Sequence, residues 1–472
     1  MPAPPSAHPA PTALAGGTQG THALRPLLDT TLHALARGAT ARGGPLPTGG
    51  PDAVAARVQA AATPVLPEHG TGPDEALHTL VQTLAEGAAD PADPRCAAHL
   101  HGPPLALATA ADLAAGALNP SLDSWDQAPS ATALEALTTR ALAALAYPDH
   151  PTADALVTTG GTESNQLALL LAREAARTTT HTPLQIICGA NAHHSIHRSA
   201  WLLGLPAPHA IPTPTGTLDP ADLHTALTRL HATPTLVIAT AGTTDTGSID
   251  PLPQIADLCD THHTPLHIDA AYGGPLLFSH TLKTALTGLD RATTVTLDLH
   301  KLGWQPISAG LLALPDTTPL HHHLTHQADY LNAPDDTEAG LPNLLHRSLR
   351  TTRRPDIFKI TVTLRALGRR GIADLVERVC ATAHHLADLI DARPTLELHS
   401  RPTISTVLFR PKGADDRTTA RTRRRLLRTG HAVLGRTTTP QGLWLKATLL
   451  NPHTRTEDLQ HLLNLVEGHT PR

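Results

Sequence analysis

Thr293-Thr294-Val295-Thr296-Leu297-Asp298-Leu299-His300-Lys301 is the stretch on which the reading of this 472-residue chain turns. Its β-branched and apolar residues predict a short strand, and the strand ends in a polar tip, Asp298-x-His300-Lys301. The chain has five lysines, at 283, 301, 359, 412 and 446, against 31 arginines, so lysine at this tip is an uncommon choice. Arginine keeps its proton in a protein, whereas a lysine amine can lose it and attack a carbonyl to form an imine. Lys301 is therefore the candidate for holding an aldehyde covalently.

On either side of this strand the pattern alternates. Strands are predicted at 155–158, 184–188, 236–240, 266–269, 294–299 and 310–314, and helices at 163–177, 195–203, 221–230 and 252–261. Short apolar strands separated by helices imply an α/β fold with a mostly parallel sheet covered on both faces. Ligands of such sheets sit beyond the carboxyl ends of the strands, so the residues that follow each strand carry the information.

After the first strand comes Thr158-Thr159-Gly160-Gly161-Thr162-Glu163-Ser164-Asn165. Two glycines let backbone amides approach an anion, Thr162 adds a hydroxyl, and a helix begins there with its positive end facing the same point. This reads as a phosphate cradle, although on its own the signal is weak and a plain helix-capping turn is the commoner explanation. After the second strand, His193 in Asn191-Ala192-His193-His194-Ser195 can stack on a planar ring or cap a helix. The stretch Ala241-Gly242-Thr243-Thr244-Asp245-Thr246-Gly247 offers small residues and hydroxyls for a close-fitting pocket. Asp269 ends an apolar strand, so it is expected to be buried and to need a cationic or donor partner, such as a protonated pyridine nitrogen. A metal at His267-x-Asp269 finds no third ligand nearby, and His321-His322-His323 reads as a solvated segment; no metal is expected. Phosphate cradle, ring-stacking imidazole, carboxylate for a ring nitrogen and aldehyde-binding lysine, in that order, together describe pyridoxal 5′-phosphate.

The rest of the chain sets the frame. A formal net charge of −5 argues against global attraction to nucleic acid or an anionic membrane. The basic run Arg421 to Arg425 reads as the solvated face of a helix. Cysteines 96, 188, 259 and 380 form no CxxC pair, which fits a reducing, cytoplasmic setting. No secretory signal and no membrane span is read. Residues 1–20 are expected to be a disordered tail and 21–92 a helical arm. A large domain is expected over 93–355 and a small α+β domain over 356–472. Within these, the loop 96–104 reads as irregular, Thr132 and Glu135 as a capping box, and 356–369 and 372–389 as two helices.

Gly160-Gly161-Thr162-Glu163-Ser164-Asn165, Ala192-His193, Gly242-Thr243-Thr244, Asp269-Ala270-Ala271-Tyr272-Gly273-Gly274 and Asp298-x-His300-Lys301 resemble, as an ordered set, the motifs of the group II pyridoxal-phosphate-dependent amino-acid decarboxylases. The resemblance spans about residues 95–465 and takes in His101-Gly102-Pro103-Pro104, Ser348 to Asp356 and Leu449-Leu450-Asn451-Pro452. It implies a fold-type I homodimer with an N-terminal arm, a large cofactor domain and a small C-terminal domain. It also implies Lys301 as the lysine bound to the cofactor, Asp269 as partner of the ring nitrogen and His193 as the stacking residue. Gly161, Thr162 and His300 would hold the phosphate, Thr244 would contact the ring side, and Asp298 belongs to the same cofactor-binding set. His101, Pro103 and Pro104 would lie on the substrate side. Gln327 to Asn332 and Gly340 to Leu344 are most similar to the diaminobutyrate-decarboxylating branch, which implies a polar aliphatic L-amino acid, L-2,4-diaminobutyrate first, as the small-molecule substrate.

One departure bears on the outcome. Many family members carry a loop tyrosine that delivers a proton to Cα, but the tyrosines here are 147, 272 and 330, with none from 331 to 349. His346, Tyr330 or water is left as the donor, or the outcome changes to oxidation to an aldehyde. Aromatic or acidic substrates and a catalytically silent binding homologue are the remaining alternatives.

Overall fold

The computed structural model describes residues 12–324, 331 and 333–471. Tyr330 and motif positions 327–330 and 332 lie outside the described residues. The strands, in chain order, are β1 (Cys96–Ala97), β2 (Asp154–Thr158), β3 (Gln185–Gly189), β4 (His209–Ile211), β5 (Thr235–Thr240), β6 (Leu266–Ala270), β7 (Thr294–Asp298), β8 (Gly310–Leu314), β9 (Leu396–Leu398), β10 (Thr406–Pro411), β11 (Val433–Thr439) and β12 (Gly442–Thr448).

Seven strands form one sheet in the order β2-β8-β7-β6-β5-β3-β4. β4, β3, β5, β6 and β7 run parallel, and β8 runs antiparallel to both β7 and β2. β2, β5, β6, β7 and β8 are buried along their whole length, as strands covered on both faces must be. This is the α/β architecture read from the alternation, and it agrees with the fold-type I arrangement that the resemblance implies. The three-residue edge strand β4 and the 3-10 turns between Gly274 and Arg291 were not among the expected elements.

The second sheet has the order β1-β11-β12-β10-β9. Its presence corrects one expectation: Cys96–Ala97, read as loop, is a strand parallel to β11. The stretch just before the large sheet is thus built into the small one. Two helices, joined across a kink within Ile357–Asp391, link the two bodies, as the two helices read at 356–369 and 372–389 anticipate. Ile357, Ile360, Val376 and Val379 lie in the core of the large sheet, and Ala383, Leu386 and Ile390 in that of the small sheet. The backbone leaves helical geometry at Gly368 (φ 65°), three residues before the break read at Gly371.

The arm helices Gly17–Arg42, Gly50–Ala62 and Pro73–Gly87 match the periodicity, and the first starts inside the stretch read as a disordered tail. The first and third approach closely because Gly38 has no side chain: a Cβ there would lie 2.6 Å from that of Ala85. The helix Pro129–Ala146 begins three residues before the capping box that was read for it. Glu135 turns inward instead and forms a two-pronged buried ion pair with Arg353, at 2.6 and 2.8 Å. Removing one partner of such a pair strands the other charge in a low-dielectric interior. Arg353→Leu is expected to lower unfolding free energy by about 3–5 kcal/mol, measured from urea midpoints at constant slope; a change below about 1 kcal/mol would show that water or Arg347, 3.9 Å from Glu135, compensates.

Candidate active site

Strand register builds the site. β5, β6 and β7 pair so that Thr240, Asp269 and Thr296 share one rung, and Asp298 ends β7 two residues further on. Residues two apart on a strand share a face, so Thr296 and Asp298 point the same way. At this end of the sheet lies a cavity of about 250 Å³ lined by Gly161, Thr162, Asn165, His193, Thr244, Asp269, Tyr272, Asp298, His300 and Lys301, among others. All eight residues read as cofactor-binding line it.

Asp298 is buried and draws several groups together. Its Oδ2 accepts a hydrogen bond from the Gly161 amide at 3.3 Å and lies 3.8 Å from Lys301 Nζ. Its Oδ1 lies 2.8 Å from His300 Nδ1. Gly160 makes the close approach possible. Its φ of +148° is one that side-chain-bearing residues rarely adopt, and a Cβ there would lie 2.8 Å from His300 Cε1. The helix Gly161–Arg177 starts at this point and directs its unpaired amides and positive end at the cavity. Together with Thr162 and His300, these groups could hold a phosphate.

Asp269, buried, accepts from Asn165 Nδ2 at 2.8 Å and from the Ala271 amide at 3.1 Å. His193 is partly buried; Ser195 Oγ lies 2.8 Å from its Nδ1, and burial holds the ring below the usual histidine range, against the pull of Asp269. Thr244 sits on the rim, and its carbonyl accepts from Lys446 Nζ at 3.0 Å. Lys446 comes from β12 of the small sheet, and burial lowers its proton affinity. Tyr272 also reaches across: its hydroxyl is bonded to Ser405 and Thr406 at 2.9 and 3.0 Å, and burial pushes it up to about 12.

Other expected residues lie elsewhere. His101 and Pro104 are exposed and Pro103 half-buried, and none of the three lines the cavity. Their loop still abuts it, since the Leu105 amide donates to Trp304 O at 2.8 Å and a Cβ on Gly102 would lie 3.0 Å from Lys301 O. His346 stacks near His321, with ring centroids 4.3 Å apart. Its neighbour Arg347 pairs with Asp154 at the amino end of β2, opposite the cavity. Within one chain, His346 does not reach Lys301. His267 is no metal ligand here: its Nε2 lies 3.0 Å from Asn165 Oδ1 and its Nδ1 2.8 Å from Thr294 Oγ1. Among the described residues no group of three or more His, Cys, Asp or Glu side chains could hold a metal ion. The reading missed Asn165 as a hub and Lys446 as a link; neither carries a local signal, because their partners are distant in sequence.

A lysine, a buried carboxylate, an imidazole and a glycine-rich helix start surround one small cavity, a set that could hold pyridoxal phosphate. A family model described as the pyridoxal-dependent decarboxylase conserved domain matches residues 59–412, and the chain belongs to this family. It is 40% identical over 420 residues to an L-2,4-diaminobutyrate decarboxylase of Rhizobium meliloti (strain 1021), covering 86% of this chain and 84% of that one. It is 30% identical to an L-2,4-diaminobutyrate decarboxylase of Acinetobacter baumannii, covering 86% and 85%. A solved structure of the glutamate decarboxylase domain of the diaminobutyrate-pyruvate transaminase and L-2,4-diaminobutyrate decarboxylase from Vibrio parahaemolyticus superposes with a TM-score of 0.85 at 31% identity, covering 97% of each chain. The protein is a pyridoxal-phosphate-dependent amino-acid decarboxylase.

Two outcomes follow from this geometry. Gly160→Ala forces strain on the order of 1–3 kcal/mol into the cradle, so titration of apoprotein with pyridoxal phosphate is expected to show binding roughly tenfold or more weaker; unchanged affinity would mean that the cradle yields freely. Burial pushes His267 down to about 4 from 6.5, so the folded state binds fewer protons than the unfolded state between those values. Stability is therefore full above about 6.5 and is lost as pH falls towards about 4, by on the order of 2–3 kcal/mol. His267→Gln is expected to flatten this part of the urea stability profile between pH 7 and 4.5, and an identical slope would contradict it.

Proposed function

We propose that the protein decarboxylates L-2,4-diaminobutyrate, releasing carbon dioxide and the corresponding diamine. The observation that carries the chemistry is the meeting of Lys301, Asp269 and His193 with the Gly161–Thr162–His300 cradle around one cavity. The substrate is supported by the two diaminobutyrate decarboxylases, both matched over more than four-fifths of their length.

Bound pyridoxal phosphate supplies an electron sink for the pair left behind when the bond from Cα to the carboxylate breaks. In this reading the residues divide the work. Lys301 would hold the cofactor through its aldehyde. Asp269 would face the ring nitrogen. His193 restrains the ring plane from one side, and Thr244 bounds it near the rim. Gly161, Thr162 and His300 would hold the phosphate, while Asp298, 2.8 Å from His300 Nδ1 and 3.8 Å from Lys301 Nζ, orients both side chains. The only tyrosine lining the cavity, among the described residues, is Tyr272, and its hydroxyl is committed to Ser405 and Thr406. That favours a proton source other than Tyr272 for Cα.

The assembly proposed is a homodimer in a reducing, cytoplasmic setting. Exposed Leu32, Leu35, Leu80 and Leu84 on the arm offer the apolar surface that a partner would cover, and the four cysteines are free thiols. Among the described residues no helix is long and apolar enough to cross a membrane.

The direct test is a panel of L-amino acids assayed for carbon dioxide with product masses. Diaminobutyrate is expected to give the highest kcat/KM and a diamine product. Preference for an aromatic or acidic substrate would overturn the substrate assignment. Oxygen consumption with ammonia release would overturn the amine outcome in favour of an aldehyde. Lys301→Ala is expected to abolish turnover on every substrate.

A further inference from the structure

Asn165 is fully buried, and all four of its hydrogen-bonding positions are used. Its Nδ2 contacts Asp269 Oδ2 at 2.8 Å and Ser195 Oγ at 2.9 Å. Its Oδ1 contacts Thr296 Oγ1 at 2.7 Å and His267 Nε2 at 3.0 Å. The directions are set by chemistry. A carboxylate can only accept, so the amide nitrogen must face Asp269. The amide oxygen can only accept, so Thr296 and His267 both donate to it. Burial keeps the His267 ring neutral, so with its proton on Nε2 it presents a bare Nδ1 that accepts from Thr294 Oγ1, 2.8 Å away. The Ser195 amide donates to His193 Nδ1 at 3.3 Å, which makes that nitrogen an acceptor, and Ser195 Oγ, accepting from Asn165, donates its own hydrogen to it at 2.8 Å.

The register makes this arrangement. His267 pairs with Thr294 and Asp269 with Thr296, on two rungs of one face of β6 and β7. Asn165, in the second turn of the cradle helix, lies against that face. The result is a chain of donors running one way, from Thr294 through His267 and Asn165 to Asp269, with a branch through Ser195 to His193. Hydrogen bonds aligned head to tail polarise one another in a low-dielectric interior.

We infer that Asn165 is a positioning residue that, backed by His267, keeps Asp269 unprotonated, so that the proton shared with the cofactor stays on its ring nitrogen. This rests on the proposal that Asp269 faces that nitrogen. A carboxylate stripped of its donors holds a proton more strongly, so loss of Asn165 moves the shared proton from the ring towards Asp269. No bond other than the N–H and O–H of this one hydrogen changes.

The test uses full-length apoprotein reconstituted with pyridoxal phosphate carrying ¹⁵N in its ring, read by the ¹⁵N chemical shift. The parent is expected to show a protonated ring nitrogen. Asp269→Asn is expected to show an unprotonated one. Asn165→Leu is expected to move the signal at least half of that distance and to weaken cofactor binding about tenfold or more, the worth of one charge-assisted hydrogen bond. His267→Leu is expected to shift it in the same direction by less, and His267→Gln, whose amide can still donate to Asn165, to restore the parental signal. If Asn165→Leu does not accumulate as folded protein, the two His267 variants decide. Parental signals in Asn165→Leu and His267→Leu, with Asp269→Asn shifted, would overturn the donor chain alone. A parental signal in Asp269→Asn would overturn the placement of Asp269 at the ring.

Discussion

A buried carboxylate must find donors or cations, and Asp298 finds them in the groups that make the site. It sits at the end of β7, where the Gly161 and His300 amides donate to it and Lys301 Nζ lies 3.8 Å away. These come from the start of one helix and from the turn that follows β7. The electrostatic need of a single anion therefore holds the phosphate cradle against the lysine, two parts of the chain that lie 140 residues apart. Gly160 and Gly161 allow the approach because a Cβ at either would collide with His300 or Ala271. Asp269, one strand over, repeats the logic with neutral donors, which leaves its charge available to the cavity.

The two sheets are held in register with this site by long-range contacts. The kinked helical segment Ile357–Asp391 contributes to both cores. Tyr272 bridges from the cavity wall to Ser405 and Thr406 at the start of β10, and Lys446 from β12 caps the Thr244 carbonyl. Lys359, fully buried between Asp112 and Asp356, ties the same helix to Ser308 on the segment after Lys301, through Asp356. The small body is thereby built onto the rim of the cavity and not merely joined to it by a linker.

Much of this was legible in the residue order. Alternation of short apolar strands with helices placed six strands of the large sheet within a residue or two, and inspection of strand ends found every residue that was expected to bind the cofactor in one cavity. The failures have physical causes. β4 has three residues, two of them exposed, so it carries no apolar run. β1 is two residues long and exists only because Val433 and Leu434 are there to pair with it. Glu135 read as a cap because its partner, Arg353, is 218 residues away. Asn165 was visible only as part of a glycine-rich turn, while its role depends on Asp269 and Thr296, more than 100 residues distant. Local pattern reports elements and strand tips; the wiring beneath them depends on register.

The scarcity of lysine that first singled out Lys301 also makes the central claim easy to test. Holoenzyme treated with borohydride, digested and analysed by mass spectrometry has five candidate lysines to distinguish. The account predicts the reduced phosphopyridoxyl mass on the peptide carrying Lys301 and on no other. A label on Lys283, Lys359, Lys412 or Lys446, or no label in protein that binds the cofactor, would contradict it.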